Sequence, residues 1–177
     1  SPDTRVSMIR SLFHRSRDRA LAMALSPLAR NVLRSRATQL APQNLQTLEH
    51  YAQIVDQRRI AGDFVECGLD LGGSAVLMVS LLSEGRFFRG YDLDTRSSSQ
   101  GKPEDWEDLV AHSLAAFGFL ADGRRVSLRR AVIGRTLPGD EGRPVALAHI
   151  NSEWPKAGTF YLRSIAPLMA RGGFILI

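Results

Sequence analysis

The chain has 177 residues, of which 44% are hydrophobic and 23% are charged, and its formal net charge is +5. These values indicate about one globular domain with a sizeable core, and they exclude a disordered chain. The sequence has no apolar run of the roughly 20 residues that a membrane-spanning helix needs, and no secretory signal pattern.

The positive charge is concentrated at the N-terminal end. Residues 1–40 contain eight Arg and two Asp, a balance of +6, so the remaining residues carry a balance of −1. Apolar residues recur there at helical spacing, with an interruption at Pro27. We therefore interpret residues 1–44 as a basic helical arm. Such an arm is either a cap with solvated arginines or an electrostatic contact to nucleic acid or acidic membranes. Its single aromatic residue favours the cap.

Helices and strands alternate along the rest of the chain. In order, the patterns predict a helix over 44–59 capped by Asn44, a strand and glycine-rich turn over 62–74, a helix over 74–82, a strand over 86–92, a surface loop over 94–103, a helix over 104–117, a strand over 126–128, a turn over 135–141, a strand over 145–150, a helix over 156–169 and a strand over 173–177. The helix over 104–117 is predicted to bury Trp106, Leu109, Val110 and Leu114. This alternation favours a doubly wound α/β sheet.

The glycine-rich turn is the most informative stretch. Gly68, Gly72 and Gly73 have no Cβ atom, so we expect their backbone N–H groups to approach a ligand closely. The helix that follows adds the positive end of its dipole. In doubly wound sheets, a turn after the first strand holds nucleotide-like ligands. The spacing is neither G-x-G-x-x-G nor G-x-x-x-x-G-K-[ST], which argues against a dinucleotide or a triphosphate.

Two acidic residues lie where a nucleoside would need them. Glu66 precedes the turn, and Asp92 ends the second strand, 24 residues after Gly68. An acid about 20 residues after such a turn accepts ribose hydroxyls, and one carboxylate can accept both hydroxyl protons. We therefore predict that Asp92 binds a ribose. The alternative is a helix cap or a solvated acid at the end of a strand.

A third polar cluster follows the fourth strand. His149, Asn151 and Glu153 point to one side if that strand stays extended. They would then hold a hard cation or position a substrate hydroxyl, and ordinary polar residues at a strand end are the alternative. Cys67 is the only cysteine, which excludes an internal disulfide and fits a reducing, cytoplasmic compartment. Its place in the first strand predicts an inert core thiol.

Taken together, these motifs resemble the macrocin O-methyltransferase family, S-adenosylmethionine-dependent enzymes that methylate sugar hydroxyls of macrolides and related natural products. The family pattern I-x-G-D-F-V-E-C-G-V-x-x-G-G-S-A is matched by residues 60–68 and 72–75, and shorter matches follow in order at 90–92, 136–138, 149–151 and 171–175. The resemblance implies a Rossmann-like class I methyltransferase sheet with an N-terminal helical cap. Residues 45–177 would form the methyltransferase-like domain, incomplete at its C-terminus.

The resemblance also implies a site. Five residues would line the methionine end of S-adenosylmethionine: Glu66, Gly68, Gly72, Gly73 and Ser74. Asp92 would bind the ribose. Asn151 and Glu153 occupy the positions of two family carboxylates that hold Mg²⁺, which would orient and acidify the acceptor hydroxyl.

We therefore expect an S-adenosylmethionine-dependent O-methyltransferase that acts on a sugar or another small-molecule hydroxyl. Its expected partners are this acceptor and, in a homo-oligomer, further copies of the same chain. Two alternatives stay open. One is a catalytically degenerate methyltransferase fold that serves as a scaffold or regulatory module. It is supported by Asp70, Leu71 and Asn151, where the family has tryptophan, arginine and aspartate. The other is a nucleic-acid methyltransferase that uses the N-terminal arginines, although nucleic acid is the less favoured partner.

Overall fold

The computed structural model describes residues 25–93, 105–131, 142–152 and 155–177. These residues form the following elements: α1 (Pro27–Arg34), α2 (Pro42–Gln57), β1 (Asp63–Cys67), α3 (Gly73–Ser80), β2 (Phe88–Leu93), α4 (Trp106–Ala116), β3 (Val126–Ala131), β4 (Val145–Ile150), α5 (Pro155–Ile165), a 3₁₀ turn (Ala166–Leu168) and β5 (Met169–Leu176). None of the helices in this part of the chain is long and apolar enough to cross a membrane.

The five strands form one sheet in the order β3-β2-β1-β4-β5, and every neighbouring pair is parallel. The chain therefore moves outward from β1 to β3 and then returns to the other side of β1 for β4. In such sheets the ligand crevice lies where this reversal occurs, at the carboxyl ends of the two strands involved. Here those strands are β1 and β4. The predicted doubly wound α/β sheet is confirmed.

Helices cover both faces of the sheet. Phe64 and Leu147 belong to the larger core cluster, beneath α1 to α4, whereas Val65 and Ala148 belong to the second cluster, against α5. Val32 of α1 is fully buried in the larger cluster, so α1 packs in the same core as the strands. The boundary predicted at residue 44 stays a prediction, and residues 1–24 of the arm lie outside the described residues.

The two first helices begin at prolines. Pro27 opens α1, and the Ser26 hydroxyl caps it by accepting a hydrogen bond from the Ala29 N–H at 3.1 Å. Pro42 likewise opens α2, with Ala41 at the N-cap, so the prediction that Asn44 caps this helix is wrong. Proline suits the first helical position because its φ is preset and no N–H is left unsatisfied there.

Other boundaries shift for local reasons. Trp106, Val110 and Leu114 are buried as predicted, but Leu109 is 42% exposed. Leu109 lies about 100° round the helix from Val110 and so falls outside the buried stripe. The fifth helix ends at Ile165, four residues early, because Pro167 prevents its continuation. The loops predicted over 94–103 and 135–141 lie outside the described residues.

Candidate functional site

Glu66 and His149 meet at the carboxyl end of the sheet, where the chain reverses. Strand pairing sets Glu66 of β1 opposite His149 of β4, and the His149 Nδ1 lies 2.8 Å from the Glu66 Oε1. Alternation places both side chains on the face of the larger core. An ionised carboxylate can only accept hydrogen bonds, so Nδ1 carries the proton when Glu66 is charged.

The second oxygen of Glu66 has no hydrogen-bond partner in the part of the chain that the structure describes. The side chain is fully buried, and its Oε2 finds no hydrogen-bond donor among the described residues. A buried acceptor without a donor costs about 1–3 kcal/mol, and more when it is charged. This atom therefore favours a ligand that brings a hydrogen-bond donor or a positive charge.

The backbone of the glycine-rich turn is bonded within the protein. The N–H groups of Gly68, Gly72 and Gly73 donate to the carbonyl oxygens of Tyr91, Leu69 and Ala37, at 2.8, 2.8 and 2.7 Å respectively. The ligand role expected for these N–H groups is therefore taken by the chain's own carbonyls, and cofactor contact by the three glycines stays a prediction.

Gly68 is needed for a close approach of two backbone segments. Its φ is +88°, and a Cβ atom here would lie 1.9 Å from the Asn151 carbonyl oxygen. The Asn151 N–H in turn donates to the Cys67 carbonyl at 2.8 Å. The turn after β1 and the segment after β4 are thus pressed together, which brings Asn151 beside the glycine-rich turn.

Asp92 is tied to the same turn. Its carboxylate is buried, and Oδ2 accepts a hydrogen bond from the Leu69 N–H at 3.0 Å while Oδ1 accepts one from the Leu93 N–H at 2.8 Å. Asp92 thereby links the end of β2 to the glycine-rich turn. A carboxylate has about four acceptor positions, so these bonds are compatible with the predicted ribose contact.

Cys67 and Ser74 are both buried at this end of the sheet. Burial raises the pKa of the Cys67 thiol, and the nearby charges of Glu66 and Asp92 raise it further. The thiol therefore stays protonated and inert, in agreement with the sequence prediction. Ser74 lies in the first turn of α3.

The predicted cation site is only partly described. Asn151 follows β4, which ends at Ile150, so strict alternation does not extend from His149 to Asn151. Glu153 lies outside the described residues. Within the described ranges no group of three His, Cys, Asp or Glu side chains is placed to hold a metal ion.

The sequence pattern indicated Glu66 and His149 separately, as members of two different clusters. Their contact depends on the strand order and register, which set β1 beside β4. A second feature that was missed is the buried Tyr161 hydroxyl, which has no hydrogen-bond partner among the described residues. Burial raises the pKa of Tyr161, and the charges of Asp92 and Cys67 add to the effect.

No protein-family model matches the chain, and no curated protein is significantly similar to it. Several solved structures do share its fold. A putative O-methyltransferase from Klebsiella pneumoniae superposes with a TM-score of 0.59 at 21% identity, over 90% of this chain and 70% of that one. An O-methyltransferase from Bacillus cereus, in complex with S-adenosylhomocysteine, superposes with a TM-score of 0.57 at 16% identity, over 87% of this chain and 68% of that one.

A third structure is the O-methyltransferase TomG from Streptomyces achromogenes, involved in tomaymycin synthesis and in complex with S-adenosylmethionine. It gives a TM-score of 0.50 at 15% identity, over 82% of this chain and 61% of that one, so this chain spans less than two thirds of its length. At these identities the similarity shows the fold. The chain has the Rossmann-like fold of class I methyltransferases.

Proposed function

We propose that this chain binds S-adenosylmethionine and methylates a hydroxyl group of a sugar or another natural product. The observation that carries the proposal is the buried Oε2 of Glu66, for which the described residues supply no donor. It lies at the carboxyl ends of β1 and β4, beside the glycine-rich turn. The methionine end of S-adenosylmethionine bears an ammonium group, which is the kind of donor that this oxygen lacks.

The surrounding residues fit the rest of the cofactor. Asp92 would accept the ribose hydroxyls, while Gly68, Gly72, Gly73 and Ser74 would line the methionine end. S-adenosylmethionine would supply the activated methyl group. The contribution of the protein would then be to hold the cofactor and the acceptor hydroxyl in line, since positioning supplies much of the rate in such displacements.

Two further points concern the acceptor and the metal. The resemblance to the macrocin O-methyltransferases and the involvement of TomG in tomaymycin synthesis both favour a natural-product acceptor. Asn151 and Glu153 offer oxygen atoms, which Mg²⁺ prefers, so we propose them as its ligands.

A scaffold that retains the fold without catalysis is the second candidate. It is favoured by the glycine-rich turn, where three N–H groups already donate to protein carbonyls. Asp70, at a φ of +47°, and Leu71 stand in this turn in place of the family's tryptophan and arginine.

Calorimetric titration with S-adenosylhomocysteine tests the proposal. We expect saturable binding that Glu66→Gln weakens about tenfold or more, because a hydrogen bond to a charged group is worth about 1.5–3 kcal/mol. Glu49→Gln is the matched control, since Glu49 is a buried carboxylate of α2 bonded to the Ser26 N–H. It should leave the affinity unchanged.

Transfer of a labelled methyl group from S-adenosylmethionine to hydroxyl acceptors, with Mg²⁺ present, separates the two candidates. Binding with transfer supports the enzyme, and binding without transfer to any acceptor supports the scaffold. A protein that binds no S-adenosylhomocysteine would contradict both the proposed cofactor and the reaction.

A further inference from the structure

We infer that His149 is a positioning residue that fixes the Glu66 carboxylate, so that one of its oxygens stays available to the amino-acid end of S-adenosylmethionine. This inference rests on the proposed function and deepens it. It assigns His149 to cofactor selectivity, whereas the sequence pattern placed it with a cation or substrate-hydroxyl cluster.

The asymmetry of the two carboxylate oxygens is the first argument. Oε1 of Glu66 lies 2.8 Å from the His149 Nδ1, while Oε2 has no donor among the described residues. The terminal torsion of a glutamate is broad and roughly two-fold, so a free carboxylate would exchange its oxygens easily. The imidazole removes that freedom by holding one oxygen.

The rigidity of the support is the second argument. Glu66 and His149 are paired residues of adjacent parallel strands, and His149 is only 8% exposed. Both backbones are held by the β1–β4 ladder, and Asn151 continues it by donating to the Cys67 carbonyl. A side chain placed by two central strands can hold its partner within a few tenths of an ångström, which a surface loop cannot do.

The chemistry of the contact is the third argument. Because an ionised carboxylate can only accept hydrogen bonds, the Nδ1–H of His149 is the donor. A neutral imidazole can donate this hydrogen bond, so His149 needs no positive charge. A neutral donor fixes the carboxylate without cancelling its negative charge. The charge therefore remains available to an ammonium group at the free oxygen, whereas a lysine or arginine in place of His149 would neutralise it.

A purely structural role for His149 would affect every ligand of the site alike. A positioning role would affect only ligands that carry the amino-acid end. S-adenosylhomocysteine has that end, and 5′-methylthioadenosine lacks it while keeping the adenosine portion and a thioether. The ratio of their two dissociation constants is therefore the readout.

We expect His149→Leu to weaken S-adenosylhomocysteine binding about 10- to 100-fold and to leave 5′-methylthioadenosine binding within about twofold. His149→Asn should restore most of the ratio, because the asparagine amide nitrogen takes a place close to that of Nδ1. His112→Leu is the matched control, since His112 is exposed on α4, and it should change neither constant.

Equal losses for both ligands in His149→Leu would overturn the inference, as would an unchanged ratio or a failure of His149→Asn to restore it. These results leave the proposed function intact as long as the wild-type protein binds S-adenosylhomocysteine. If the wild-type protein does not bind it, the proposed function and this inference fail together.

A second measurement needs no variant and so does not depend on the folding of His149→Leu. In NMR spectra of the ¹⁵N-labelled wild-type protein, the Nδ1–H of His149 should give a hydrogen-bonded signal. We expect this signal to shift when S-adenosylhomocysteine is added and to stay in place with 5′-methylthioadenosine. A signal that responds to neither ligand, or equally to both, would contradict the positioning role.

Discussion

Cys67 and Tyr161 lie in the same core cluster, where β1 packs against α5, and burial is the main reason why the pKa of each is raised. A raised pKa in the folded protein means that the unfolded chain loses its proton at a lower pH. The stabilisation from each group is therefore complete below its unfolded pKa and is lost as the pH rises above it.

For Cys67 the loss should begin near the ordinary thiol pKa of about 8.5. We expect the free energy of unfolding to fall between pH 8.5 and 10, with up to about 1.4 kcal/mol per pH unit coming from this one group. Urea unfolding at a series of pH values measures this decline in the free energy of unfolding. Cys67→Ala should flatten the decline, and an equally steep decline in that variant would contradict the assignment.

The Tyr161 hydroxyl offers a test by deletion. It is buried without a hydrogen-bond partner among the described residues, so the folded state gains nothing from it and carries its desolvation cost. We expect Tyr161→Phe to leave the free energy of unfolding unchanged or to raise it by about 1 kcal/mol. A loss of more than about 1 kcal/mol, the usual worth of a neutral hydrogen bond, would show that the hydroxyl is bonded after all.

The turns between elements depend on glycine for two separable reasons, backbone angle and space. Gly68 has a φ of +88° and a Cβ there would meet the Asn151 carbonyl, whereas Gly118 has a φ of +84° and open space around it. We expect Gly118→Ala to cost about 1–2 kcal/mol from backbone strain alone. Gly68→Ala should cost about 2–5 kcal/mol, because overpacking adds to that strain.

Thermal or urea unfolding of the two variants measures this difference directly. It also tests the crossing of the chain at Gly68, since a larger side chain there must push the segment after β4 away. Similar costs for the two substitutions would mean that Asn151 does not press on the turn.

Element types were predictable from the sequence because apolar runs and glycine turns are local signals. β4 was predicted residue for residue, and β1 falls within the stretch assigned to it. The start of α2 was missed because the prediction relied on Asn44 as its N-cap, whereas the helix begins at Pro42, whose φ is preset for the first helical position. On α4, Leu109 was predicted to be buried with its neighbours but is exposed.

At the scale of the whole molecule, Asp63 joins three parts of the chain at the amino end of the sheet. Its fully buried carboxylate receives two hydrogen bonds from Arg143, at 2.7 and 2.8 Å, and forms an ion pair with Arg89 at 3.3 Å. Arg143 precedes β4 and Arg89 lies in β2, so this one carboxylate ties β1 to both of its neighbours.

We expect Asp63→Ala to lower the free energy of unfolding by about 3–5 kcal/mol, because it removes the carboxylate that pairs with the buried Arg89. Asp56→Ala is the matched control. Asp56 pairs with Arg86 at 3.2 Å but its side chain is 41% exposed, so its loss should cost about 1 kcal/mol or less. Chemical unfolding measures both, and equal costs would contradict the role given to burial.

Only part of the candidate site could be predicted from the sequence, because the rest depends on how the whole sheet is arranged. The sequence shows that Glu66 and His149 each lie near the carboxyl end of a strand, because both follow short apolar runs. It does not show that the two strands are neighbours, since the order β3-β2-β1-β4-β5 is decided by packing across the whole sheet. The contact between Glu66 and His149 is a consequence of that order.

The contact between Glu66 and His149 spans 83 positions of the chain, and this separation has a meaning in time. During synthesis at about 5–20 residues per second, Glu66 would leave the ribosome roughly 4–17 s before His149. Until β4 has been made, Glu66 has no His149 to contact, because the two residues meet only through the pairing of β1 with β4. The arrangement of this carboxylate is therefore completed late in synthesis, although it lies in the first strand of the sheet.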